Sequence, residues 1–190
     1  ANIDAGSNYN VFVGENVSDA ALNDAIMNVA IGFEALSALT TGDYNVAVGR
    51  IAATALTDGE RNVFIGTSAG NSTTSAQRVV AIGHGATQAN MTAAAIGTVA
   101  VGYNAGNAIT SGAGNVSVGS GSLATTTSGL YNVAVGTEAL HTAATSDYNV
   151  AVGNLALHAV NGDGSGGNTA VGAQAGRRIT SGVYNTAIGM

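Results

Sequence analysis

Three histidines, five arginines and eleven carboxylates are the residues of this 190-residue chain that could carry acid–base or metal chemistry. His141, His158 and Arg177 each stand five residues after a glycine that closes the same short string, at Gly136, Gly153 and Gly172. A chain wound with that period sets two imidazoles and a guanidinium along one edge. Zinc would need a third neutral or anionic ligand, and Arg is the wrong neighbour. The three residues read instead as turn residues, or as a basic contact strip for an anionic sugar or lipopolysaccharide. Asp43 and Glu60 share another register, two residues before an Asn, and Asp147 repeats it further along. Paired carboxylates are the mark of glycoside cleavage, but two in stacked turns are a weak form of it. With no Cys there are no disulfides or thiolate metal sites. The Gly-rich strings are not followed by a helix, as a phosphate-binding loop requires. No catalytic residue, metal or cofactor is expected, and the chain reads as a structural protein rather than an enzyme.

What must position these residues is a repeat. Asn-Val-Ala-Val-Gly and close variants occur at 10–14, 28–32, 45–49, 62–66, 115–119, 132–136, 149–153, 168–172 and 185–189. Degenerate copies at 79–83 and 98–102 fill the gap. The closing glycines are 18, 17, 17, 17, 19, 17, 17, 17, 19 and 17 residues apart. Seventeen residues are too few for a helical hairpin or a propeller blade, and suit a coil of two short strands and two turns. The expected fold is therefore all-β, a parallel β-solenoid of eleven coils, about 50 Å long at strand spacing. It forms a single domain over 1–190, read as part of a longer fibre.

Alternation assigns the columns. The residues flanking the motif centre are Val, Ile or Thr, and are expected to fill the interior. The Ala three residues after each Gly, and the Leu or Gly that follows, suggest a second, weaker strand. Glycines three residues before the Asn (Gly42, Gly59, Gly112, Gly129, Gly182) suggest positive φ. The motif centre (Ala30, Ala47, Phe64, Ala81, Ala100, Ala134, Ala151, Ala170, Ala187) is then expected to face outwards and admit a neighbouring chain closely. Asn10, Asn28, Asn45, Asn62, Asn115, Asn132, Asn149, Asn168 and Asn185 are expected to stack as a hydrogen-bonded amide ladder. Tyr131 and Tyr148, on consecutive coils, could stack over the turn or against a sugar. An ice-binding face would need a Thr-x-Thr array, which the Ala centre does not provide.

Composition narrows the partners. Only 8% of residues are charged and 46% are hydrophobic, against about a quarter charged in ordinary domains. So little charge points to association with other chains. A net charge of −6 without a basic face excludes nucleic-acid binding. No apolar run reaches about 18 residues, so no membrane insertion is expected.

Strings such as Tyr131-Asn-Val-Ala-Val-Gly-Thr-Glu-Ala-Leu and Tyr184-Asn-Thr-Ala-Ile-Gly resemble the repeats of bacteriophage tail and head fibre proteins. More distantly, Val-Ala-Val-Gly with its spaced Ala resembles the heads of YadA-like trimeric autotransporter adhesins, whose repeats are shorter. The resemblance covers essentially the whole chain. It implies a left-handed β-roll, homotrimeric, on a virion surface beside other virion proteins, attaching to a host glycan or protein receptor. A bacterial adhesin head is the alternative, and a polysaccharide-degrading spike a more remote one. Receptor contacts are expected where the period breaks, at Val17–Met27, His84–Thr98 and Val160–Gly167.

Overall fold

In the computed structural model, which describes residues 6–160 and 166–190, the chain winds into one stack of coils. Each coil contributes a three-residue strand: β1 (Val11–Val13), β2 (Val29–Ile31), β3 (Val46–Val48), β4 (Val63–Ile65), β5 (Val80–Ile82), β6 (Val99–Val101), β7 (Val116–Val118), β8 (Val133–Val135), β9 (Val150–Val152), β10 (Thr169–Val171) and β11 (Thr186–Ile188). They form a single eleven-stranded parallel sheet in sequence order, with centre facing centre from Phe12↔Ala30 to Ala170↔Ala187. The expected all-β solenoid is thus the observed architecture, with one short 3₁₀ turn at Ala93–Ala95.

No second strand forms in any coil among the described residues. The residues after the motif Gly form turns, and they alternate into left-handed backbone, as at Glu34 (φ 53°) and Leu36 (φ 50°). Their amides still pair with the next coil, for example Leu36 N–H to Ala52 O at 3.1 Å. The arc is therefore bonded along the rod although it is too curved to be a strand. The glycines three residues before the Asn also depart from expectation, since Gly42, Gly59, Gly112, Gly129 and Gly182 do not have positive φ. Left-handed backbone falls instead on the residue just before the Asn, as at Tyr44 (φ 59°) and Arg61 (φ 59°). The motif Gly itself is required twice over. Gly49 has φ +136°, and a Cβ there would lie 2.6 Å from the Gly66 carbonyl oxygen of the next coil.

The two strand faces are the reverse of the expected ones. The motif centres Ala30, Ala47, Phe64, Ala81, Ala100, Ala134, Ala151 and Ala170 are 0% exposed within the single chain. Ala187, in the last strand, is half-buried against the same core. The column named above as a chain contact therefore lines the interior. The flanking Val and Ile face outwards, with Ile31, Ile65, Val135, Val152 and Val171 between 37 and 42% exposed or, for Val135, 36%. Geometry explains the inversion. A coil with one three-residue strand has a narrow lumen, which admits one small strand side chain opposite the Ala at +3 and a residue at +7. Those opposing positions are buried too, as at Ala35 and Leu39, Ala52 and Leu56, and Ala105 and Ile109.

The lumen is filled by compensation within each coil. Where the motif centre is Ala47, the coil carries Ala53 and Leu56; where it is Phe64, Gly70 and Thr73 stand in their places. A Cβ on Gly70 would sit 2.3 Å from the Phe64 ring.

Candidate functional site

The asparagines form the expected ladder. Asn45 Oδ1 accepts the Asn62 backbone N–H at 3.1 Å and the Asn62 Nδ2–H at 3.0 Å. Asn45 Nδ2 donates to Asn28 Oδ1 at 3.1 Å and to the Gly59 carbonyl at 2.8 Å. Donors and acceptors are thus paired on a fully buried amide. The carbonyl fourteen residues after each donating Asn is the anchor, whether Gly59, Ala76 or Ser146 supplies it. One run joins Asn10 to Asn62 and ends on Val79, whose N–H still donates to Asn62 Oδ1 at 2.9 Å. A second run joins Asn115, Asn132, Asn149, Asn168 and Asn185. At the break, Thr98 Oγ1 donates to the Gly112 carbonyl at 3.3 Å. The ladder is occupied with itself.

Of the chemistry-bearing residues, the fold brings together His141 and His158. Their rings stack at 5.3 Å, tilted by 6°. His141 Nδ1 lies 3.0 Å from the Gly121 carbonyl, which can only accept, so this nitrogen carries the proton. His158 Nε2 lies 3.5 Å from Glu138 Oε2. Arg177 turns instead to Gln174 Oε1 at 3.2 Å. The carboxylates are divided between structural tasks. Asp43 Oδ1 accepts the Ile26 N–H at 2.8 Å, Asp147 Oδ1 accepts the Leu130 N–H at 2.7 Å, and Glu60 pairs with Arg61. Each aspartate thus ties its coil to the one before. No group of three or more metal-ligating side chains converges among the described residues.

Of the period-breaking segments, Val17–Met27 lies against the next coil through Ala20 N–H to Ser37 O and Asn23 N–H to Thr40 O, each 2.8 Å. His84–Thr98 carries the 3₁₀ turn and buries Met91. In Val160–Gly167, residues 161–165 lie outside the described residues.

The feature that sequence reasoning placed wrongly is the outer sheet face. Two columns of Val, Ile and Thr run along all eleven strands. They are bordered on one side by the residue before each Asn and on the other by the residue after each Gly. The exposed large apolar residues of the described chain fall on these four columns, with Val183 alone beside them. The borders are rich in stacked rings: Tyr131 on Tyr148 at 5.5 Å, His84 on Tyr103 at 5.5 Å, Arg61 over Tyr44 at 5.4 Å and Arg50 over Phe33 at 6.0 Å. The signal for this inversion was in the sequence. Small residues recur at both the motif centre and the +3 position, which two opposed walls of a narrow lumen require.

No family model, curated protein or solved structure matches the chain.

Proposed function

We propose that this chain is a rigid segment of a surface fibre, a left-handed β-roll that packs as a homotrimer and serves host attachment on a virion. The observation that carries the reading is the Val/Ile face, continuous over eleven strands and half-exposed in one chain. Eleven strands at about 4.8 Å make a strip roughly 50 Å long. Across four columns its area is on the order of 800 Å², what one partner of a stable interface buries. Apolar surface of that extent marks association. A second copy has the same coil pitch, so its rows meet these rows along the whole length, and cyclic closure keeps the copies level.

Two neighbouring substitutions test this. Val135→Glu places a charge on the outer strip and should leave a folded chain that sediments as a single 18.4 kDa species rather than as three copies. Ala134→Glu buries a charge in the lumen and should prevent folding, a penalty of several kcal/mol. A wild-type chain that is monodisperse at one chain mass would overturn the assembly reading. Attachment is read separately, by loss of adsorption of the particle to host cells in competition with the free fibre segment.

A further inference from the structure

The column just before each Asn shows what this fold sets over a tyrosine. Above Tyr44 the next coil places Arg61, its guanidinium carbon 5.4 Å from the ring centroid. Above Tyr131 it places Tyr148, stacked at 5.5 Å and 17°. Each long side chain thus lies over the residue one coil earlier. Tyr131 does the same over Gly114 and Tyr184 over Gly167, where an added Cβ would lie 2.6 Å from the ring. At Tyr148 the pattern is interrupted. The next residue in the column is Gly167, so among the described residues no side chain of this column covers the outer face of the Tyr148 ring, and the following ring is Tyr184. A cavity of about 240 Å³ occupies the interval, lined by Asp147, Tyr148, Gly166, Gly167, Val183 and Tyr184.

We propose that this gap binds a small organic cation, a quaternary ammonium or guanidinium group, between Tyr148 and Tyr184 and beside Asp147. The faces of aromatic rings are electronegative, and a cation within about 6 Å of a ring centroid is attracted to it. Two coil spacings separate the rings by roughly 10 Å, so a cation midway is about 5 Å from each. Asp147 lines the cavity and adds negative charge nearby, its carboxylate turned to the Leu130 N–H of the preceding coil. Among the described residues no basic side chain lines the cavity, and the chain's net charge is −6. The chain fills the equivalent place over Tyr44 with its own cation, Arg61; over Tyr148 the glycine leaves that place to a ligand. Tyr148 and Tyr184 stand in a border column of the strip proposed to meet neighbouring copies, so the inference is made for the single chain and is tested on the assembly-blocked Val135→Glu variant beside the wild type.

The test is a titration of the intact chain at constant ionic strength, followed through the ring-proton NMR shifts of Tyr148 and Tyr184. The probes are tetramethylammonium chloride, methylguanidinium chloride and neutral tert-butanol. Saturable shifts with either cation, at millimolar dissociation constants, and none with tert-butanol are the expected result. The tighter cation names the source, a choline-type headgroup or an arginine side chain. Tyr148→Leu should weaken binding at least about fivefold, while Tyr44→Leu leaves it unchanged. Absence of saturation in Val135→Glu, equal binding of tert-butanol, or full affinity in Tyr148→Leu would overturn the proposal. Sedimentation of the same samples reports assembly separately, so a wild-type monomer that binds the cation keeps this inference and rejects the trimer.

Discussion

A single asparagine shows how this chain holds its register. Asn132 gives its side-chain oxygen to both nitrogens of Asn149, at 3.0 and 3.1 Å, and donates its own amide to Asn115 and Ser146. Removing it takes the shared acceptor from two buried donors of Asn149, the backbone N–H and one Nδ2–H, and each orphan costs about 1–3 kcal/mol. Asn132→Ala is therefore expected to destabilise the fold by about 3 kcal/mol, read as a lower denaturation midpoint with an unchanged slope. Asp, which keeps the acceptors but lacks the amide donors, should recover only part of this. The ladder was legible in the sequence because it requires only a polar residue at a fixed register. The division of labour within it, with a main-chain carbonyl fourteen residues on as second acceptor, was not, because it depends on where the turn brings the backbone.

At the scale of one coil, the lumen is a closed space whose contents must add up. Phe64 occupies it only because Gly70 and Thr73 stand where other coils have larger residues. Phe64→Ala should leave a cavity and cost about 3–5 kcal/mol. Gly70→Leu should be comparably damaging through overpacking. The two together restore the pattern of the coil with Ala134 and Leu140, so the double variant should be more stable than either single one, a coupling measured by a double-mutant cycle. The same narrowness explains what alternation could and could not tell. The spacing of two fixed which side chains share a face, and the Asn-to-Gly string located every strand. It could not say which face was inside, because Val and Ile suit a pleated surface on either side. The turns decide that, by closing the coil so tightly that the β-branched pair has room only outside. The second strand failed for the same reason: an arc with left-handed residues at Glu34 and Leu36 bends too sharply to be extended. The Ala at +3, on the arc where that strand was expected, is buried in the lumen at Ala35, Ala52 and Ala105.

The whole rod is less uniform than its repeat. Its apolar interior falls into two clusters, one from Val17 to Ile109 and one from Leu123 to Ala175. Between them the lumen carries Ser117 and Ser122, whose hydroxyls bond to each other at 2.6 Å, and Thr126, whose hydroxyl is buried without a hydrogen-bond partner among the described residues. The asparagine ladder is also in two runs, broken at Val79 and Thr98. In stacked repeats stability is close to a sum of nearest-neighbour terms, so a weak layer separates cooperative units. Hydrogen exchange should therefore resolve two blocks of amides with different opening energies, on either side of the coil that follows Gly119. Ser117→Ala with Ser122→Ala should narrow that difference by joining the two apolar cores. Winding has a mechanical consequence as well. The covalent chain runs around the rod, so only hydrogen bonds and side-chain packing connect one coil to the next along its axis. A pull on the two ends loads those connections one coil at a time, and each that opens releases about 17 residues, on the order of 55 Å of extended chain. Under tension the rod should lengthen in even steps, beginning at its serine layer, and so yield gradually where a rigid strut would snap.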